Sequence, residues 1–252
     1  MVRYAVADLH GQLDLLNQIK EYINETDILY VLGDSGDRGP EPWRTLKACL
    51  DDSQIVYIIG NHDLMLINAI EQYRKIIAKH GECRLFDYIY SSGPIHQLSI
   101  NGGIPTLEGW IGERQEKQIE YYNKLKALPL EIRLGAEDGR NFIYLNHSGA
   151  HPGAIGVESV EDFVWDRKHF YLDWDSGGDV LFHGHTPTQA IAHKLAKDAY
   201  TLDQDCMFYN DGCKIDIDVG ACFYNKAALI NIDTHEIKTF YTGENVDGAQ
   251  GK

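Results

Sequence analysis

Five times along this chain a short apolar run stops at a turn built from Asp, Asn, His and Gly. Tyr4-Ala5-Val6-Ala7 meets Asp8-Leu9-His10-Gly11. Ile28 to Leu32 meets Gly33-Asp34-Ser35-Gly36-Asp37-Arg38-Gly39, and Gln54 to Ile59 meets Gly60-Asn61-His62-Asp63. Phe142 to Leu145 ends in Asn146-His147-Ser148-Gly149, and Asp179 to Phe182 ends in His183-Gly184-His185-Thr186-Pro187. A buried strand feeding a glycine-rich polar turn places charged groups at its carboxyl end, where open α/β sheets bind ligands. Between the first three units lie stretches with helical period: Leu13, Leu15, Leu16 and Ile19 in one, Trp43, Leu46 and Leu50 after Pro40 and Pro42 in the next. Strand, helix, strand, helix, strand implies right-handed crossovers and parallel pairing, so the fold class is α/β.

The pattern lapses from about 81 to 139. That segment holds tyrosines, Gly102-Gly103, Trp110 and a charged helical stretch from Glu113 to Lys126. It is expected to be a mostly helical insertion into one domain spanning 1–241, serving either as a substrate-selecting wall or as packing. Lys214 to Val219, Ala227 to Ile232 and Glu236 to Tyr241 read as three strands of an antiparallel meander, and 242–252 as a polar, flexible tail. His151 and His169 are expected at the surface. Tyr121, Tyr122 and Trp174 are expected to pack rather than to recognise a ligand.

The 252 residues carry a formal charge of −15, which opposes unspecific binding to nucleic acid or anionic lipid. It leaves room for a phosphate substrate, because a few local cations can dominate a pocket. The five cysteines (Cys49, Cys83, Cys206, Cys213, Cys222) form no CxxC pair, which argues against a zinc ribbon or a disulfide scaffold. Without a signal-peptide pattern or a long apolar run, a cytoplasmic setting is expected. Oligomeric state is not legible.

Asp8, His10, Asp34, Asp37, Asn61, His62, His147 and His185 all fall at strand ends. Carboxylate, imidazole and amide oxygen together suit borderline divalent ions such as Mn, Fe, Zn or Ni. The set is too large for one ion. It suggests two, sharing a carboxylate, as in phosphatases and nucleases that activate water between metals about 3.5–4 Å apart.

DLHG, GDSGDRG, GNHD, NHSG and HGHT, in that order, resemble the motifs of the calcineurin-like metallophosphoesterases. The resemblance is to the PPP branch, which contains bacterial and phage Ser/Thr protein phosphatases and the symmetrical diadenosine tetraphosphatases. It implies a sandwich of two mixed sheets flanked by helices. It also implies two divalent metals, manganese first among them. Asp8 and His10 would hold the first, Asp34 would bridge, and Asn61, His147 and His185 would hold the second. His62 would be the general acid, oriented by Asp37, with a metal-bridging hydroxide as nucleophile. Arg38 would grip phosphate oxygens with its planar fork, and Arg167, in a W-x-R element with Trp165, would be a second phosphate arginine. His183 has no counterpart in the pattern and is left out of the ligands.

The expected activity is phosphoester hydrolysis, with a phosphoserine/phosphothreonine protein or a small phosphoester as substrate. Protein phosphatase stands first. A symmetrical diadenosine tetraphosphatase or another nucleotide pyrophosphohydrolase is the alternative, since the core would be shared. An inactive binding scaffold is a third reading, disfavoured because every ligand position and the acid histidine are filled.

Overall fold

The computed structural model describes residues 1–81, 85–136, 141–153, 156, 158–197 and 199–243. Residues 244–252 of the expected tail, and 82–84 and 137–139 of the expected insertion, lie outside the described residues. The chain begins β1 (Arg3–Val6), α1 (Leu13–Tyr22), β2 (Ile28–Val31), α2 (Pro42–Asp51), β3 (Ile55–Tyr57) and α3 (Asn61–His80). β1 and β2 pair in parallel with Tyr4 opposite Leu29, and β2 and β3 with Leu29 opposite Ile55, as the crossovers require. Short helices follow: α4 (Phe86–Ile89), α5 (Pro94–Ile100), α6 (Ile104–Ile111) and α7 (Gln115–Lys126). Then come β4 (Glu131–Gly135), β5 (Phe142–Asn146), α8 (Val160–Val164), β6 (Val180–His183) and α9 (His193–Leu195). The chain closes with β7 (Thr201–Asp203), β8 (Cys206–Tyr209), β9 (Lys214–Asp216), α10 (Ala221–Tyr224), β10 (Lys226–Asn231) and β11 (Ile237–Tyr241).

Two mixed sheets result. One has the order β11-β10-β1-β2-β3, the other β4-β5-β6-β9-β8-β7. Because successive strand residues face opposite ways, each central strand of the first sheet feeds two cores. Leu29 and Val31 pack with Leu15, Leu16, Ile19, Leu46 and Leu66 of the helices. Tyr30 and Leu32 point the other way, into a layer with Leu145, Phe182, Ile215 and Ile230 between the sheets. Helices outside and two sheets inside make the α/β sandwich expected.

The expected terminal meander needs correction. Only β10 and β11 form an antiparallel hairpin. β9 lies in the other sheet, parallel to β6 and antiparallel to β8, and α10 carries the chain across. Period-2 alternation reveals a strand but not its sheet, and three short runs in series look alike whether or not they pair. Among its described residues the segment at 81–139 is mostly helical, and its one strand there, β4, pairs with β5 at the edge of the second sheet. His169 also departs from expectation. It is 3% exposed and packs against Phe170 and His183, because the short helical turn at Lys168–Phe170 turns it inward. Tyr121 and Trp174 are buried, as expected of packing residues.

Candidate metal centre and active site

All five polar turns meet at one edge of the sandwich. Asp8 and His10 follow β1, Asp34 follows β2, Asn61 and His62 open α3 after β3, His147 follows β5 and His185 follows β6. Every one of these side chains is buried. The backbone is strained to bring them together. Asp8, His10, Asp34, Asp37, Arg38 and His185 all have φ between 40° and 73°, the left-handed region that non-glycine residues avoid. At Gly33 a side chain is excluded outright: φ is +86°, and a Cβ would lie 2.7 Å from the Gly60 Cα and 2.8 Å from the His147 Nδ1.

Asp34 is the hub. Its carboxylate lies 3.4 Å from the His147 Nε2 and 3.9 Å from the His10 Nε2, and its other oxygen accepts the His62 backbone N–H at 2.9 Å. Two groups of donor atoms, His10 with Asp34 and His62, and Asp34 with His147 and His185, each lie within 4.8 Å of one another, with Asp34 common to both. The amide oxygen of Asn61 sits 2.8 Å from the His147 Nε2 and 2.8 Å from the His185 Nδ1. Asp8 lies 3.9 Å from the His10 Nε2, and its other oxygen accepts the His185 backbone N–H at 2.8 Å.

The rings are held from behind. The Nδ1 of His10 faces the Gly36 carbonyl at 2.9 Å, and that of His147 faces the Leu32 carbonyl at 2.7 Å, so each Nε2 is turned toward the carboxylates. The His185 Nε2 is buried without a hydrogen-bond partner. Lone pairs from buried imidazoles, an amide oxygen and shared carboxylates converging on the same two points fit a pair of divalent cations. Burial lowers the His10 imidazole to about 3, with His62 nearby adding to the effect, and burial likewise lowers His185. Burial would also depress His147, but the Asp34 and Asp8 carboxylates reverse this and hold it up at about 10.

Asp37 sits beside this group. Its carboxylate lies 2.6 Å from the His62 Nδ1 and also accepts from the Thr106 hydroxyl, whose oxygen takes the Asp37 backbone N–H at 2.9 Å. Thr106 lies on α6, so the 81–139 segment buttresses the site directly. Arg38 reaches the Nε2 of both His10 (3.0 Å) and His62 (2.8 Å). A guanidinium can only donate, so both Nε2 atoms accept there. Arg167 is exposed beside Trp165, whose ring meets the His185 ring edge-on at 5.7 Å between centroids. His183 turns away, bonding the Tyr209 hydroxyl at 2.8 Å through Nε2.

Two features escaped the motif reading. Asp218, two residues past β9, is buried with its carboxyl raised to about 7, by burial first, while the His147 and Arg38 charges pull it down. Lys214-Ile215-Asp216-Ile217-Asp218-Val219-Gly220 alternates charged and apolar residues, so Asp218 reads as part of the expected strand Lys214 to Val219 rather than as a polar turn after it. The second is a clasp behind Asp34. The Tyr57 hydroxyl accepts the Ser35 N–H at 2.9 Å and donates to Asp63, which also accepts from the Asp34 N–H (3.2 Å) and the Gly60 N–H (2.8 Å).

The sequence matches the profile of the calcineurin-like phosphoesterases over residues 1–189, and the chain belongs to that family of metallophosphoesterases. The family works with a binuclear divalent metal centre, and the relatives are consistent with its PPP branch. Among those relatives are the symmetrical bis(5'-nucleosyl)-tetraphosphatases of Neisseria gonorrhoeae and Neisseria meningitidis. Each is 35% identical over 281 residues, covering 98% of this chain and 98% of the relative. The fold is shared with a solved structure proposed to be a diadenosine tetraphosphatase (TM-score 0.58, 15% identity, 96% of this chain and 94% of that one). It is also shared with a protein serine/threonine phosphatase from Saccharomyces cerevisiae (TM-score 0.53, 12% identity, 97% and 81%). No helix among the described residues is long and apolar enough to cross a membrane.

Proposed function

We propose that this metallophosphoesterase hydrolyses dinucleoside polyphosphates, cleaving a symmetrical dinucleoside tetraphosphate into two nucleoside diphosphates. The observation that carries the reading is the match, over 98% of both chains, to symmetrical bis(5'-nucleosyl)-tetraphosphatases. This reverses the order suggested by the motifs, which put a protein phosphatase first. The likeness to the serine/threonine phosphatase is one of fold alone and does not favour a phosphoprotein.

Asp8, His10 and Asp34 would hold one divalent ion, and Asp34, Asn61, His147 and His185 the other. Bound there, the ions supply Lewis acidity toward phosphate oxygens and activate water. The protein's own groups do the rest. Arg38 donates into the site and fits two phosphate oxygens, and Arg167 supplies a second cation at the exposed rim. When a phosphate takes the Arg38 donors, the His62 Nε2 is released from them. With Nδ1–H held on Asp37, that Nε2 can carry a proton to the leaving oxygen. Asp37 in turn is fixed by Thr106, so the acid's ring plane is set before substrate arrives.

A side-by-side turnover assay with manganese on diadenosine tetraphosphate, a phosphoserine peptide and p-nitrophenyl phosphate tests the reading. The dinucleotide should be cleaved with the highest kcat/KM. Faster cleavage of the peptide would overturn it.

A further inference from the structure

Aromatic side chains flank the buried centre at two ends, with Arg38 over the ring at one and Arg167 lining the same pocket as the rings at the other. At the His10 end, Arg38 lies with its Cζ 5.9 Å from the centroid of the Phe223 ring. Phe223 is 60% exposed on α10, which Gln12 anchors by donating to the Ala221 carbonyl at 3.3 Å. At the His185 end, Trp165 meets the ligand ring edge-on, and an open pocket of about 310 Å³ continues outward along Arg167, Lys168 and Tyr171, with Asp162 and Asp166 also in its wall. Tyr171 is 52% exposed there. Several aromatic rings are exposed elsewhere on the molecule; the rings here are set apart by lying beside a cation at each end of one site, where they offer stacking faces to a ligand with planar groups.

We infer that these are two nucleoside subsites, Phe223 at one end and the Trp165–Tyr171 pocket at the other, which hold the two bases of one dinucleoside polyphosphate. The inference rests on the dinucleotide reading above and deepens it. Each arginine takes phosphate oxygens and each ring offers a face to a base, while the phosphate chain crosses the buried ligands between them. Any base has a stacking face, so the subsites select for a nucleoside at both ends without selecting strongly among bases. A phosphopeptide presents one phosphate and no second planar group, and leaves one end unused.

The test uses the manganese-loaded protein, the KM for diadenosine tetraphosphate and the inhibition constant of inorganic tripolyphosphate in the same assay. Phe223→Ala and Tyr171→Ala should each raise the ratio of that KM to that inhibition constant about tenfold, the size of one lost stacking contact. Phe223→Tyr and Tyr171→Phe, which keep a ring, should return it to within about twofold of the parent. If the parent makes two diphosphates but either alanine variant leaves the ratio unmoved, or either aromatic swap fails to restore it, this inference falls and the dinucleotide reading stands. If the parent does not cleave the dinucleotide, the reading itself falls.

Discussion

Filling the metal centre should expel protons, and His147 dictates how the affinity follows pH. The metal-free imidazole is held at about 10, against 6.5 for a free ring. Burial opposes its charge, but the Asp34 and Asp8 carboxylates and the Leu32 carbonyl outweigh burial. A cation needs the neutral ring. At pH 7.5 the gap to about 10 is about 2.5 units, which lowers the affinity of that position about 300-fold relative to a deprotonated site. The affinity should therefore climb about tenfold per pH unit between pH 6.5 and 8.5, with at least about one proton released as the pair of ions binds. His10 and His185, lowered by burial first, are already neutral and add nothing to the release. Titration calorimetry with manganese in two buffers of different protonation enthalpy counts the protons. His147→Asn should bind manganese more weakly and release about one proton fewer. Equal heats in both buffers, or an affinity flat over that pH range, would refute the argument.

Other consequences concern the groups around that ring. His62→Asn should keep its manganese while kcat falls about 10²- to 10⁴-fold, most for substrates with basic leaving groups. Since His62 also lies in a candidate ligand cluster, metal content measured beside activity separates the roles, and comparable loss of metal would refute that of acid. Tyr57→Phe strips the buried Ser35 N–H of its acceptor and Asp63 of a donor, costing about 1–3 kcal/mol of stability. Denaturant unfolding measures that loss, and manganese affinity should drop with it if the clasp holds Asp34 in place. In the metal-free protein, Asp63 and Asp218 oppose the gain in stability that the buried, neutral His10 and His185 bring as pH rises from about 4 through 7. Asp63 and Asp218 are raised to about 7 by burial first, so the native state keeps protons that the unfolded chain has given up. Their contribution is complete below the unfolded carboxylate range and gone above pH 7, so Asp218→Asn should gain in Tm relative to the parent as pH rises across that window, and a constant difference would contradict it.

Much of the site was legible because one rule governs it. Asp8, Asp34, Asn61, His147 and His185 each follow a run that reads as a strand, and the chemistry of their side chains does not depend on where the helices lie. Asp218 also follows a strand, but β9 ends at Asp216 while the charged/apolar alternation runs on to Val219, which hides Asp218 inside the expected strand. Tyr57 and Asp63 could not be paired from spacing, since their contact exists only once α3 folds back over β3. The left-handed backbone at Asp8, Asp34 and His185 is likewise invisible in the sequence: Asp and His tolerate it without requiring it. β7 was unreadable because its three residues are exposed and carry no apolar pattern. The choice of substrate was the least legible, because the metal ligands are those of a chemistry that serves phosphoproteins and dinucleotides alike.

The most direct test of the account is product analysis of diadenosine tetraphosphate incubated with the purified, manganese-loaded protein. The account predicts ADP as the sole nucleotide product, two per substrate, with activity lost to a chelator and recovered on readding manganese. Formation of ATP and AMP, or no cleavage under conditions where a phosphopeptide is hydrolysed, would contradict it.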